Sequence, residues 1–263
     1  MFDRTAAPAA WFPSGRVGYA IGDIHGRADL LEKLLTELEA RAGEDLRENG
    51  KPVLIFLGDY VDRGPDSAKV IDLLLQDRPE GAGRRFLKGN HEQSMLAFLE
   101  DPIANAAWLR QGGAETLLSY GVQPPAPVGA QERDLHEAAQ QLKANLPAEH
   151  VVFFNRLERY VEMGDYVFVH AGVDAGRALE DQTDADLYWI RDRFLTSKRR
   201  FSHRVVHGHT PAEAPYADER RIGVDTGAYA SGMLTAARFE ADRLSFVSVR
   251  ETPAAAAAEA VVF

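Results

Sequence analysis

At several places along the chain an uninterrupted apolar run stops at a glycine, and polar residues fill the turn that follows. "GRVGYAIGDIHG" is a short apolar strand around Val17 to Ile21 that ends in a glycine-rich polar loop. In the next segment Leu30, Leu31, Leu34, Leu35 and Leu38 recur at helical spacing, while Glu32, Lys33, Glu37 and Glu39 turn outward. That is an amphipathic helix with one face in the core. "PVLIFL" is a second continuous apolar run, as expected for a strand covered on both faces, and "DSAKVIDLLLQ" predicts the helix after it, with Asp66 or Ser67 as cap. "RRFLKGNHEQSMLAFLE" repeats the pattern. Three such βα units predict a mostly parallel sheet with its chemistry at the carboxyl ends of the strands.

Residues 101 to 149 break this rhythm. A helical stretch, "AAWLRQGGAETLLSYG", a proline-rich turn, "QPPAPVG", and a helix around "DLHEAAQQLKANL" predict an inserted helical cap. From "RYVEMGDYVFVHAG" onward short strands dominate: "RVVHGHT", "RRIGVDTG", "GMLTAARFE" and "RLSFVSVR", the last two joined by a tight "ADR" turn. These predict a second sheet packed on the first. The expected organisation is an N-terminal extension over 1–16, one α/β domain over 17–250 with the cap at 101–149, and a tail over 251–263 that includes the alanine-rich "PAAAAAEA".

Composition narrows the chemistry. The 263 residues are 45% hydrophobic, enough for a packed core, and carry a net charge of -10, which argues against a nucleic-acid or anionic-membrane partner. An anionic substrate must then be drawn by local charge. There is no cysteine, so disulfides, thiolate nucleophiles and cysteine-held zinc are excluded, and metal ligands must come from His, Asp, Glu or Asn. The opening residues hold an early acid and two prolines rather than a continuous apolar run, so they do not read as a signal peptide, and no stretch approaches transmembrane length. The expected compartment is the cytoplasm.

Five strand ends carry metal-type side chains: Asp23 and His25 in "GDIHG", Asp59 and Asp62 in "GDYVDRG", Asn90 and His91 in "GNHE", His170 in "VHAG", and His207 and His209 in "HGHT". Taken singly, an Asp after a strand is usually a turn or cap, and a lone His is usually structural. As a set they carry five of the eight histidines in one structural position, and in a strand-layered domain all five loops can converge on one rim. An unpaired buried carboxylate costs several kcal/mol, so Asp59 at the end of "VLIFLG" calls for a cation or dense hydrogen bonding to neutralise it. Nitrogen and oxygen ligands without sulfur suit Mn²⁺, with Fe²⁺ or Zn²⁺ as alternatives. Two such ions about 3.5 to 4 Å apart can generate a hydroxide at neutral pH and clamp both oxygens of an in-line displacement.

These motifs in this order resemble the phosphoprotein phosphatase (PPP) family of metallophosphoesterases, above all its bacterial and bacteriophage members, over residues 17 to about 249. The resemblance implies a metallophosphoesterase-type four-layer αββα sandwich. It implies two divalent metal ions, one held by Asp23, His25 and Asp59, the other by Asp59, Asn90, His170 and His209. It makes His91 the general acid, oriented by Asp62, and Arg63 and Arg191 the phosphate clamps. Arg191 is aligned through the looser "LYWIRDRF", where Arg193 and the basic "KRR" at Lys198 to Arg200 compete with it. His207 stands where eukaryotic members carry an arginine and is left out of the ligand set.

The implied function is a metal-dependent phosphomonoester hydrolase, a serine/threonine protein phosphatase with a phosphorylated protein or peptide as substrate and direct hydroxide attack without a phosphoenzyme. The alternative is a symmetrical diadenosine tetraphosphate hydrolase, which shares the metal motifs; "DYVDRG" and "WLRQGGAETLLSYG" look more like the bacterial protein phosphatases. A non-catalytic phosphoprotein-binding pseudophosphatase is disfavoured because every expected ligand is present. Trp108 and Tyr120 either line a substrate groove or form the cap's own core, with core favoured.

Overall fold

The computed structural model describes residues 10–48 and 50–251, so the first residues of the expected extension and the alanine-rich tail lie outside the described residues. The chain begins with three βα units: β1 (Arg16–Ile21), α1 (Ala28–Glu48), β2 (Lys51–Phe56), α2 (Ser67–Leu75), β3 (Gly83–Phe86) and α3 (Asn90–Glu100). A 3₁₀ helix (Ala106–Gln111), α4 (Gly113–Ser119), α5 (Glu132–Asn145) and α6 (Ala148–Asn155) follow. Then come β4 (Val161–Met163), β5 (Tyr166–Phe168), α7 (Asp184–Trp189), α8 (Asp192–Leu195), β6 (Arg204–His207), β7 (Tyr216–Ala217), β8 (Arg221–Gly223), α9 (Ala228–Ser231), β9 (Met233–Glu240) and β10 (Arg243–Arg250).

Two five-stranded sheets result, ordered β10-β9-β1-β2-β3 and β4-β5-β6-β8-β7. β1, β2 and β3 are parallel, as are β5, β6 and β8. The strands are apolar throughout because both faces are covered, and alternate residues enter different cores. On β2, Leu54 and Phe56 face the helices around α1 and α2, whereas Val53, Ile55 and Leu57 face the second sheet. On the second sheet, Phe168 and Val206 meet them, while Val167 and Val205 turn away toward Leu187, Tyr188 and Phe194. Three cores between four layers make the αββα sandwich. The α1 stripe is core as predicted: Leu30, Leu31, Leu34, Leu35 and Leu38 are all buried, each contributing on the order of 1.5–3 kcal/mol by leaving water.

Two local expectations need correction. β9 and β10 belong to the first sheet, where β9 lies antiparallel to β1; without it the free edge of β1 would leave a row of buried backbone groups unpaired. The helical stretch around "WLRQGG" is two elements, broken at Gly112, whose φ of +113° is open to glycine alone at low cost. Asp66 is the N-cap residue of α2, one of the two expected, although its side chain makes no capping bond; the buried Ser67 hydroxyl accepts from Asp62 N at 3.0 Å. The helix α6 follows α5 where the sequence pattern left no element, and α4, α5 and α6 pack on the α2–α3 side of the first sheet. Among the described residues no helix is long and apolar enough to cross a membrane.

Candidate metal centre and active site

Apart from His207, the last residue of β6, every residue of the constellation follows one of the six parallel strands. Asp23 and His25 follow β1; Asp59, Asp62 and Arg63 follow β2; Asn90 and His91 follow β3; His170 follows β5; and His209 follows β6. The three loops of the first sheet are laced together. Ile24 N and His25 N donate to Asp59 O at 3.1 and 2.9 Å, and Gly26 N donates to Tyr60 O at 2.9 Å. The buried Glu92 carboxylate accepts Asp59 N, Tyr60 N and Gly89 N at 2.9, 2.7 and 2.9 Å, which ties the second loop to the start of α3. From the second sheet, His209 N donates to both oxygens of Asp23 at 3.1 and 3.0 Å. A side chain on Gly208 would put its Cβ 2.1 Å from Asp23 Oδ1, so this approach requires glycine.

The backbone is strained where the chemistry sits. Six non-glycine residues among those described have positive φ; five are His25, Asp59, Asp62, Arg63 and His209, and the sixth, Ala241, makes the β9–β10 turn. Left-handed backbone at such residues costs on the order of 1–3 kcal/mol each and persists only where the surroundings fix it.

Asp59 is the centre of the arrangement. Its Oδ2 lies 3.5 Å from His25 Nε2, and its Oδ1 lies 3.4 Å from His170 Nε2, so its two oxygens face two different groups. Among the described residues two sets of His and acidic side chains have the spacing to hold a metal ion: His25, Asp59 and His91, with His91 where the sequence pattern placed Asp23, and Asp59, His170 and His209. The imidazoles are prepared as lone-pair donors. His25 spends Nδ1–H on Val61 O at 2.9 Å and His170 spends Nδ1–H on Leu57 O at 2.8 Å, leaving each Nε2 bare. Burial lowers the pKa of both, His25 to about 3, so they are neutral. His170 Nε2 then lies 2.9 Å from Asn90 Oδ1, a second acceptor. His209 Nε2 is buried with no hydrogen-bond partner. Acceptors packed against acceptors, with one orphaned nitrogen, are what a cation site requires. The residues fit the group.

His91 faces both ways. Its Nδ1 donates to Asp62 Oδ2 at 2.7 Å, while its Nε2 lies 3.9 Å from Asp59 Oδ2 and receives Arg63 Nη2 at 3.1 Å. Burial opposes its charged form, but Asp59 and the hydrogen-bonded Asp62 outweigh it, and its pKa is raised. Asp62 is fully buried and further held by Trp108 Nε1 at 2.7 Å and Thr116 Oγ1 at 2.6 Å. Arg63 also lies over the Tyr229 ring, 4.4 Å from its centroid. Arg191 is exposed, with Nη1 3.4 Å from the hydroxyl of Thr210, next to His209. Two of its competitors are engaged elsewhere: Arg193 pairs with Asp186 and Asp174 at 2.6 and 2.9 Å, and Arg200 pairs with Glu219. His207 uses both nitrogens, on Gly208 O and the Tyr216 hydroxyl.

The sequence profile of the calcineurin-like phosphoesterases, or metallophosphoesterases, matches residues 19–245. The chain belongs to that family. It is 28% identical over 239 residues to the bis(5'-nucleosyl)-tetraphosphatase PrpE [asymmetrical] of Halalkalibacterium halodurans, covering 87% of this chain and 92% of that protein. It is also 28% identical over 227 residues to serine/threonine-protein phosphatase 1 of Salmonella typhimurium, covering 84% and 91%. A mutant cold-active protein tyrosine phosphatase has the same fold, with a TM-score of 0.62 at 17% identity over 93% of this chain and 82% of that one. This metallophosphoesterase is therefore a hydrolase built for divalent metals.

Sequence reasoning did not single out Glu92, Thr116, Trp189 or Tyr229, nor the buried Asp225 in the loop after β8, and it missed the bond of Trp108 to Asp62. Glu92 lies inside the quoted "GNHE", and Asp225 ends "RRIGVD" just as Asp59 ends "VLIFLGD", so both carried a readable signal. Trp108 and Tyr120 are buried, in line with the core reading, yet the Trp108 indole also serves Asp62.

Proposed function

We propose that this metallophosphoesterase hydrolyses phosphomonoesters on serine and threonine of a phosphorylated protein or peptide. The observation that carries this reading is the His91–Asp62 pair. A serine or threonine alkoxide is a very basic leaving group and needs a proton as it departs; a nucleotide phosphate does not. An imidazole raised in pKa, held at Nδ1 by a buried aspartate that itself takes two further hydrogen bonds, is organised to deliver that proton from Nε2.

Two divalent cations, Mn²⁺ first among the candidates, fit Asp23, His25 and Asp59 on one side and Asp59, Asn90, His170 and His209 on the other, and when bound supply Lewis-acid charge to the phosphoryl group and the attacking water. The protein's own residues do the rest. Arg63 and Arg191, flanking the two clusters, grip the phosphate oxygens by charge-assisted hydrogen bonds. Arg63 Nη2 lies 3.1 Å from His91 Nε2, so the phosphate clamp and the proton donor are direct neighbours. Asp62 keeps Nδ1–H in place and stabilises the imidazolium.

A second reading, asymmetrical hydrolysis of a dinucleoside tetraphosphate, draws on the PrpE relatives and on two half-exposed aromatic rings at the site. Tyr229 lies 5.3 Å from the His25 ring and Trp189 lies 6.5 Å from the His209 ring, surfaces on which a base can stack. The Mn²⁺-loaded protein should be given a phosphothreonine peptide and diadenosine tetraphosphate in parallel, with phosphate, ATP, AMP and ADP followed separately. Phosphate release from the peptide at the higher kcat/KM supports the phosphatase. Faster formation of ATP and AMP replaces it with the second reading, and ADP points to symmetrical cleavage.

A further inference from the structure

Asp225 lies in the loop after β8, the sixth parallel strand, and its carboxyl is 5% exposed. One oxygen, Oδ1, accepts Gly227 N at 2.8 Å. The carboxyl also lies within hydrogen-bonding reach of the carboxyl of Asp23, which is itself 2% exposed. Two buried carboxylates do not approach one another without a cation or a proton between them. The closeness is built into the backbone: a Cβ on Gly22 would stand 2.6 Å from Val224 O and 3.3 Å from Asp225 Cα, and Arg27 Nη1 donates to Ala228 O at 3.1 Å. Asp23 also holds His209 N with both of its oxygens, and His25, two residues along the same loop, sets its Nε2 3.5 Å from Asp59 Oδ2.

We infer that Asp225 is a further carboxylate of the first cation site, acting beside Asp23 on the ion that Asp23, His25 and Asp59 hold. The two halves of the centre then differ in kind. The first has three carboxylates around one imidazole, one of them shared; the second has that shared carboxylate, an amide oxygen and two imidazoles. Extra anionic oxygen strengthens binding of a hard divalent ion at the first position only. A role confined to the local turn would account for the bond to Gly227 N and not for the approach to Asp23.

The inference rests on the two-cation reading, and the test separates the two. Wild-type and Asp225→Asn chains, stripped of metal, are titrated with Mn²⁺ by calorimetry, and thermal melting is followed with and without the ion. Asn keeps the Oδ1 acceptor for Gly227 N; Asp225→Ser serves if the first variant does not fold. Wild type is expected to take up two ions, and the variant to weaken one of them by about 10- to 100-fold, the scale found for partners of metal ligands. The metal-free variant should melt no lower than metal-free wild type, because a like-charge neighbour has been removed, while its gain on adding Mn²⁺ should be smaller. Two ions of unchanged affinity in the variant, or equal loss of melting temperature with and without Mn²⁺, overturn this inference alone. A wild-type chain that takes up fewer than two ions overturns the two-cation reading and this inference with it.

Discussion

The rim of the first sheet and the rim of the second are built from different chemistry. β1, β2 and β3 deliver the charged groups Asp23, Asp59, Asp62 and Arg63 and the proton-bearing His91, beside the neutral His25 and the amide of Asn90, on loops tied by Glu92 and by donors to Asp59 O. β5 and β6 deliver His170 and His209, buried and neutral, held through backbone contacts such as Gly208 N to His170 O at 2.8 Å, and β8 adds only the buried Asp225. A buried anion must be fixed by many hydrogen bonds whether or not a cation is present, whereas a neutral imidazole needs only one N–H partner to set its tautomer. The first rim therefore carries most of the strain and the lacing, and the second fits against it.

The largest effect should come from removing what the two rims share. Asp59→Asn takes away the charge that faces both His25 and His170. We expect loss of both ions and a fall in kcat of more than about 10²-fold, since even partners of metal ligands act on that scale; metal analysis and turnover of the folded variant check it. Two retained ions with near-normal turnover would mean that the rims do not share Asp59.

His91→Ala should cost about 10²- to 10⁴-fold in kcat on a phosphothreonine peptide and far less on p-nitrophenyl phosphate, whose phenolate leaves without a proton. Metal content should be unchanged. Because His91 Nε2 also stands 3.9 Å from Asp59 Oδ2, loss of an ion in this variant would move His91 from proton donor to ligand.

Arg63→Ala should leave both ions in place and weaken phosphate inhibition, with kcat/KM lowered by about 10²- to 10³-fold, as for loss of one donor to transition-state charge. Phosphate competition measures it directly, and an unchanged inhibition constant removes Arg63 from the clamp.

The smallest change is Trp108→Phe, which deletes one hydrogen bond to the buried Asp62 while keeping most of the packing. Stability should drop by about 1.5–3 kcal/mol, the worth of a hydrogen bond to a charged group, read from denaturant unfolding. The preference for phosphothreonine over p-nitrophenyl phosphate should narrow slightly, a miniature of the His91 effect.

The candidate ligands were legible because each sits within a few residues of a strand end, where an apolar run meets a glycine and an acid or histidine. The alternation of Val53, Leu54, Ile55 and Phe56 between two cores explains why "PVLIF" reads as apolar without a break, and so why the strands were found. What the pattern does not encode is partnership at long range. β9 reads as a strand from its residues alone, but nothing local says that it pairs with β1. The support of Asp62 by Trp108 and Thr116 spans 46 and 54 positions, through a segment whose only local signal is the Gly112–Gly113 break. A Cβ at Gly113 would stand 2.4 Å from the Trp108 ring, and Gly112 O accepts Arg63 N at 3.2 Å, so the break brings the indole to Asp62 and braces Arg63 at once. Those are tertiary facts, decided by packing rather than propensity.

The measurement closest to the central claim is anomalous diffraction from a crystal of the Mn²⁺-loaded protein. Two peaks are expected on opposite sides of the Asp59 carboxylate, one among Asp23, His25 and Asp59 and the other among Asp59, Asn90, His170 and His209. A single peak, or a pair that Asp59 does not join, would contradict it.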